Sequence, residues 1–187
     1  MPYSSDEGKH VIHNWLTGIN PRAVLDIGAG AGTYGRMVRA ICPQAAVDAV
    51  EIFEPYVSRF DLSHVYDAVI IGDVRDVNTT SLFPREYDVI IMGDVLEHMT
   101  AWEAEKVWCT LLPLARHAVI VSIPVVEYPQ GPSEGNVHEA HVSTWDVASV
   151  LKRMPEIDEW WVGSEIGVFR ANNTHRSTFP LPVGAWT

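Results

Sequence analysis

The chain reads as an α/β protein built on one open, mainly parallel sheet with helices on both faces. Three observations carry this expectation. The short apolar stretch 22–27 runs straight into Gly28-Ala29-Gly30-Ala31-Gly32, and residues 33–41 then show a helical pattern stopped by Pro43. Further apolar runs of strand length alternate with helical segments, which is the pattern of a parallel sheet with crossover helices. Two late runs, 157–162 and 166–171, flank Gly163-Ser164-Glu165 and read as a closing hairpin that adds an antiparallel strand.

In chain order, Ser4-x-x-Glu7 has the form of a capping box and predicts an amphipathic helix through about Leu16, ended near Gly18 and Pro21. Strand 22–27, the glycine turn and helix 33–41 follow. Residues 46–51 form a second strand that closes on an acid, and Pro55 suits the first turn of a helix running towards Leu62. Strands 67–71 and 87–92 end in Gly72-Asp73 and Gly93-Asp94. Residues 102–115 place Ala104, Val107, Trp108, Leu111 and Leu112 on one helical side, with Pro113 disturbing the end. Strand 118–123 leads into a long connection, 124–143, rich in proline and glycine; connections of that length are uncommon and often functional. Ser143 or Thr144 is the expected cap of a helix through Met154.

Several polar residues fall where such a sheet binds ligands, at the carboxyl ends of its strands. Asp26 sits inside an apolar strand, where a charge needs a partner. The glycines after it let backbone approach a ligand closely. Glu51 falls 23 residues after Gly28, near the ~20 expected of an acid that accepts both hydroxyls of a ribose. Asp94, Glu97 and His98 stand at i, i+3 and i+4, so a helical turn would put them on one face. His138 and His141 lie in the long connection. Gly30-x-Gly32-x-x-Gly35 also satisfies a dinucleotide fingerprint. Against that reading, Gly28-Ala29 intervenes before it, the strand carries Asp26, and no Tyr-x-x-x-Lys pair exists in the chain.

The Val24-Leu25-Asp26-Ile27-Gly28-Ala29-Gly30-Ala31-Gly32 stretch resembles motif I of the class I S-adenosylmethionine-dependent methyltransferases, and the Asp94-Val95-Leu96-Glu97-His98 segment is similar to their small-molecule O- and N-methyltransferases. The resemblance covers nearly the whole chain. It implies a Rossmann-like, seven-stranded, mainly parallel sheet with an antiparallel C-terminal hairpin strand, a single domain over 1–171, and a C-terminal tail over 172–187. It implies S-adenosyl-L-methionine as cofactor. Asp26 would face the methionine ammonium, Gly28, Ala29 and Gly30 would cradle the cofactor, and Tyr34 would cover its carboxylate end. Glu51 would take the ribose, Asp73 and the Val74 amide the adenine edge, and Ile52 and Val74 the adenine faces; Asp94 completes the cofactor-binding set at the catalytic edge.

Asp94-x-x-Glu97-His98 with the distant His141 also resembles the acid-x-x-Glu-His plus His pattern of metal-dependent O-methyltransferases, among them enzymes acting on small-RNA 3′ ends and on quinone precursors. This implies Glu97, His98 and His141 as ligands of a divalent metal and His98, His138 and His141 as catalytic candidates. Asp94 is one methylene shorter than the usual glutamate of that pattern. The acceptor implied is a small-molecule hydroxyl or amine. The alternatives are a metal-assisted RNA 3′-end 2′-O-methyltransferase, a non-catalytic cofactor-binding regulatory module, and a nicotinamide-dependent enzyme. His10 and His13 are expected on a solvated helix face.

Composition bounds the partners. The 187 residues carry 24 acidic against 13 basic side chains, a formal net charge of −11, which disfavours duplex nucleic acid. No apolar run approaches the roughly 18 residues of a membrane span, and the start lacks the pattern of a signal peptide. Cys42 and Cys109 form no ligand motif and suit a reducing cytoplasm, each as a small buried hydrophobe. With no inserted cap domain, the acceptor pocket must come from the first helix, the 124–143 connection or a second subunit in a homodimer.

Overall fold

A computed structural model describes residues 4–76 and 85–173. The expected tail therefore lies, from residue 174 on, outside the described residues. Seven strands form one sheet in the order β3-β2-β1-β4-β5-β7-β6, with β1 Ala23–Ile27, β2 Ala46–Glu51, β3 Ala68–Ile71, β4 Tyr87–Gly93, β5 Ala115–Pro124, β6 Glu159–Val162 and β7 Ile166–Asn172. The pairs β3-β2, β2-β1, β1-β4 and β4-β5 are parallel, whereas β7 is antiparallel to both β5 and β6. The strand order reverses between β1 and β4, so the crevice above these two strands is the topological switch point where such sheets bind ligands.

The helices are α1 Lys9–Ile19, α2 Thr33–Ile41, α3 Pro55–Arg59, α4 Ala101–Leu111 and α5 Val147–Arg153. Alternation along the strands feeds two cores. Val24, Val47, Val89 and Ile120 join Ile12 and Leu16 of α1 and Val38 of α2 on one face. Leu25, Ile90, Val119 and Phe169 join Trp108 of α4 and Val150 of α5 on the other. No helix among the described residues is long and apolar enough to cross a membrane.

The helix starts differ from the sequence reading in instructive ways. α1 starts at Lys9, after a left-handed Gly8 (φ 80°), with no side-chain cap. Glu7 does not close a capping box. Its carboxylate accepts from the amides of Ser164, Glu165 and Ile166 and from the Ser164 hydroxyl, at 2.7–2.8 Å. It thus ties the chain's beginning to the β6–β7 turn. α5 is capped by Asp146, with Ser149 answering in a reciprocal box, three residues later than Ser143. α4 has the capping box Thr100/Glu103, and Pro113 ends it in a tight turn over Leu112–Leu114. Cys42 is buried as expected, but Cys109 is exposed, because it lies on the outer side of α4 away from the Trp108 stripe.

Asp26 is buried in β1 and points towards the α2 face, where the Tyr66 hydroxyl donates to its Oδ2 at 2.5 Å. Burial pushes its carboxyl up to about 7, against the pull of the Tyr66 bond and the Gly35 amide. Close approach of Tyr66 is what Gly35 permits, since a Cβ there would lie 2.4 Å from the phenol ring.

Two outcomes follow from these polar contacts. Tyr66→Phe leaves a buried carboxylate short of a donor and should cost about 1–3 kcal/mol of stability. The folded pKa of Asp26 is raised, so its charge becomes a liability as pH rises from its ordinary range to about 7. The deficit measured by denaturant melts should therefore be larger at about pH 8 than at about pH 5; an equal deficit at both would refute the pairing. The Glu7 carboxyl is held down at about 2, chiefly by the Ile166 amide, so its contribution is full above its ordinary pKa and lost as pH falls towards 2. Glu7→Gln should lower Tm near neutral pH, with the difference from the parent protein closing on acidification.

Candidate functional site

A cleft of about 880 Å³, its open mouth included, lies over the carboxyl ends of β1, β2, β3 and β4. Gly28, Ala29 and Gly30 form its floor. Gly28 has φ 75°, and a Cβ there would meet Val95 at 2.6 Å. The turn is bound to the neighbouring strand by Gly28 N–H donating to the Val50 carbonyl at 2.8 Å. Glu51 braces it further, its Oε2 accepting from the Gly30 amide at 2.9 Å and its Oε1 from the Phe53 amide at 2.8 Å. A carboxylate has about four lone-pair sites, so the bracing leaves acceptor capacity facing the cleft. Burial, and next to it the nearby Glu139, raises the Glu51 pKa.

Ile52, Gly72, Asp73, Val74 and Arg75 line one end of the cleft. Arg75 grips Asp73 with Nε and Nη2 at 2.5–3.0 Å and reaches Glu103 of α4 with Nη1 at 3.3 Å. Burial opposes the charge of Asp73, but the Arg75 hydrogen bonds outweigh it and hold the carboxyl below its usual range. Sequence reasoning left this clamp out. Asp26 lies beneath the cleft rather than in its lining, bonded by the Tyr66 hydroxyl.

At the other end stand Ser4, Tyr34, Gly93, Asp94, Val95, His98 and Met99. The Tyr34 ring packs across the last residue of β4, where only glycine fits: a Cβ on Gly93 would lie 1.8 Å from it. Asp94 takes a left-handed conformation (φ 55°), a strained backbone of the kind that clusters at functional sites. Its Oδ1 accepts from the Ser122 hydroxyl at 3.2 Å, and burial raises its pKa.

Leu96–His98 form a tight turn beneath which Glu97 is buried. Apart from the pull of its own amide, neither carboxylate oxygen of Glu97 finds a hydrogen-bond donor among the described residues. Burial, with Asp94 adding to it, raises its pKa well above the usual carboxylate range. The long connection brings His141 to this group. One ligand atom from each of Glu97, His98 and His141 lies within 4.8 Å of the others, and the two imidazole centroids are 4.9 Å apart. His98 Nδ1 faces the Ala140 carbonyl at 3.2 Å and His141 Nδ1 the Tyr128 carbonyl at 2.6 Å. With Nδ1–H donating in each ring, both Nε2 atoms keep a lone pair, the arrangement typical of metal-ligating imidazoles. Burial lowers the pKa of both rings, which favours the neutral form.

His138 lines the cleft, whereas Glu97 and His141 lie just behind the lining. The connection also supplies Asn136 and Glu139, and α3 supplies Tyr56, none of which the sequence reading singled out for the cleft. Tyr56 donates to Glu139 Oε1 at 2.9 Å. Trp145, three residues beyond Val142, is buried in the core with its Nε1–H on Ser143. His10 packs edge-on to Trp161, and neither it nor His13 lines the cleft.

No protein-family model and no curated protein matches the chain. Solved structures do. A protein from Nostoc punctiforme PCC 73102 superposes with a TM-score of 0.63 at 17% identity over 86% of this chain, which spans about half of that longer protein (54%). A S-adenosylmethionine-dependent methyltransferase from Clostridium acetobutylicum ATCC 824 gives 0.65 at 13% identity, covering 87% of this chain and 89% of that one. Magnesium protoporphyrin IX methyltransferase from Synechocystis PCC 6803, with S-adenosylmethionine bound, gives 0.62 at 19% identity, covering 87% and 76%. Together with the strand order and the glycine turn of β1, the likeness identifies the fold of this chain as that of the class I S-adenosylmethionine-dependent methyltransferases.

Proposed function

We propose that the protein transfers a methyl group from S-adenosyl-L-methionine to a small-molecule acceptor, and that a divalent cation held by Glu97, His98 and His141 makes a hydroxyl the preferred acceptor over an amine. The observation that carries the reading is the division of one cleft into two chemically distinct ends. One end joins the glycine turn, Glu51 and Asp73 at successive strand termini; the other joins Asp94, His98 and His138, with Glu97 and His141 behind them.

The glycine turn and Glu51 suit the ribose and methionine parts of the cofactor. Ile52 and Val74 suit the faces of its adenine, with Asp73 at the rim and Arg75 fixing its carboxylate. Tyr34 closes the floor towards the methionine end, and Asp26 supports that floor from below. When bound, the cofactor supplies an electrophilic methyl on a sulfonium, so the protein's task is chiefly alignment of the acceptor. Comparison supports this assignment: the Synechocystis enzyme of the same fold carries S-adenosylmethionine.

The residues fit a cation. A buried carboxylate without donors is costly unless a positive partner completes it, and Glu97 has two neutral imidazoles beside it with their Nε2 lone pairs available. One carboxylate and two imidazoles suit Mg²⁺, Mn²⁺, Zn²⁺ or Fe²⁺. Such an ion would lower the pKa of a bound hydroxyl, and His138 stands at the cleft surface to take its proton. An RNA 3′-end acceptor would use the same cation set, but the net charge of −11 weighs against a polyanionic substrate.

Calorimetric titration with S-adenosylhomocysteine should give a micromolar-range Kd, and Glu51→Ala should weaken it by about 2–4 kcal/mol, roughly 30- to 700-fold. Unchanged affinity in that variant, or tight NADH binding by the parent, would overturn the cofactor assignment. Methyl transfer should cease on chelation and return with added Mg²⁺ or Mn²⁺. Full turnover in chelator would remove the cation from the reading and leave the cofactor in place.

A further inference from the structure

The 124–143 connection touches both ends of the cleft, and the contacts that hold it are unequal in kind. At the far end it is fixed by backbone. The amides of Val142 and Ser143 both donate to the Glu97 carbonyl, at 2.8 and 3.1 Å, and the Ser143 hydroxyl donates to the Met99 carbonyl at 2.7 Å. At the near end it is held by side chains of α3. Tyr56 donates to Glu139, and Arg59 pairs with Glu134 at 2.5 Å. Phe53 and Phe60 pack edge-on to Tyr56 at 4.9 and 5.2 Å and fix its ring. Burial pushes the Tyr56 phenol up to about 12, so it remains a donor at neutral pH. Between these anchors the turn Val137–Glu139 lines the cleft through His138 and Glu139, as Glu51 does, and Glu139 is buried.

Glu139 and His141 are two residues apart, a span of at most about 7 Å of chain. A shift of Glu139 must therefore be felt at His141. Gln130 reinforces the link, its Nε2–H donating to the Glu139 carbonyl at 2.7 Å while its own carbonyl accepts from the His141 amide at 2.9 Å. On the cleft side, Glu51 and Glu139 both line the same space, and the charge of Glu139 disfavours that of Glu51. A ribose diol between them would bring two hydroxyl donors to acceptors that otherwise repel.

We infer that Tyr56 and Glu139 are positioning residues that link the two ends of the site: a ribose held between Glu51 and Glu139 seats the 137–139 turn, and the seated turn presents His141 to Glu97 and His98. Cofactor and cation then bind with positive, reciprocal linkage. The inference rests on the cofactor and cation assignments above and adds to them a dependence that neither requires. Its size should be that of ordinary coupling between sites, about 5- to 150-fold in affinity.

The test is a closed cycle of calorimetric titrations on the full chain, with Mn²⁺ and S-adenosylhomocysteine each titrated in the absence and presence of the other. Each ligand should tighten the other by the same factor, within the roughly 5- to 150-fold range. In Tyr56→Phe that factor should fall towards one, whatever happens to the separate affinities. If Mn²⁺ and S-adenosylhomocysteine both bind the parent protein but independently, the linkage is refuted and the site assignments stand. If the factor survives in Tyr56→Phe, Tyr56 is not the link. Absence of any Mn²⁺ binding, with or without S-adenosylhomocysteine, refutes the cation site and the linkage with it. Should the variant fold poorly, hydrogen exchange on the parent protein decides. S-adenosylhomocysteine alone should slow exchange of the Ala140, His141 and Val142 amides by about 5-fold or more, and no change there refutes the inference.

Discussion

The carbonyl of Glu97 accepts two amides from a segment more than forty residues away, and the Glu97 end of the cleft depends on that pair of bonds. Val142 and Ser143 donate to it together. No other backbone-to-backbone hydrogen bond among the described residues returns the 124–143 connection to the end of β4. Glu97 therefore works twice. Its main chain docks the connection, and its side chain waits beneath for what the connection brings, His141. The docking also sets the His98 ring, because the Ala140 carbonyl that faces its Nδ1 belongs to the docked segment. Trp145, buried and bonded to Ser143, holds the segment's exit.

Much of the fold was legible because its strands are buried on both faces and read as short apolar runs bounded by glycine, proline or acid. The boundary errors share a cause. Ser4-x-x-Glu7 has the same local form as Thr100-x-x-Glu103, yet only the second caps a helix. Glu7 is diverted by three backbone amides and a hydroxyl at the β6–β7 turn, some 157 residues later in the chain. Left-handed Gly8 then resets the start of α1. No local pattern can display a competitor that arrives from the far edge of the sheet. Asp146 won the cap of α5 from Ser143 for a similar reason, since Ser143 was already committed to Met99 and Trp145.

The site divides the same way. Residues at strand ends were legible, because the sheet itself delivers Gly28, Glu51, Asp73 and Asp94 to one edge. Asp26 was legible as a buried charge needing a partner, but the partner is Tyr66, which no motif marks. Tyr56, Asn136 and Glu139 escaped notice because their placement comes from packing between α3 and a connection some 80 residues on. A signal for them existed in retrospect: Asn136 and Glu139 sit within three residues of His138 in a long polar connection, where a cluster of hydrogen-bonding types is itself unusual. Arg75 carried a weaker one, a cation two residues after an acid at a strand end.

The buried carboxylates decide what the site can be. Asp48, deep in β2, takes the Tyr87 hydroxyl and Arg85 on Oδ2 while its Oδ1 has no hydrogen-bond partner among the described residues, and Asp88 accepts from the Arg22 and Ala23 amides. These do not line the cleft, and each has a donor within the protein on at least one oxygen. Around the cleft the balance changes. Glu51 accepts from the Gly30 and Phe53 amides and keeps acceptor capacity, Glu51 and Glu139 line one cleft, and Glu97 has no donor beyond its own amide among the described residues. The spare acceptor capacity of Glu51 and the donor-poor carboxylate of Glu97 create a demand for donors and positive charge at the cleft. Hydroxyl groups can meet it at the Glu51 end, and a cation at the Glu97 end. The same imbalance explains why the two ends should act on one another. Glu139 belongs to the first set by position and, through two residues of chain, to the second by connection. Whatever satisfies one set of acids also fixes the segment that completes the other.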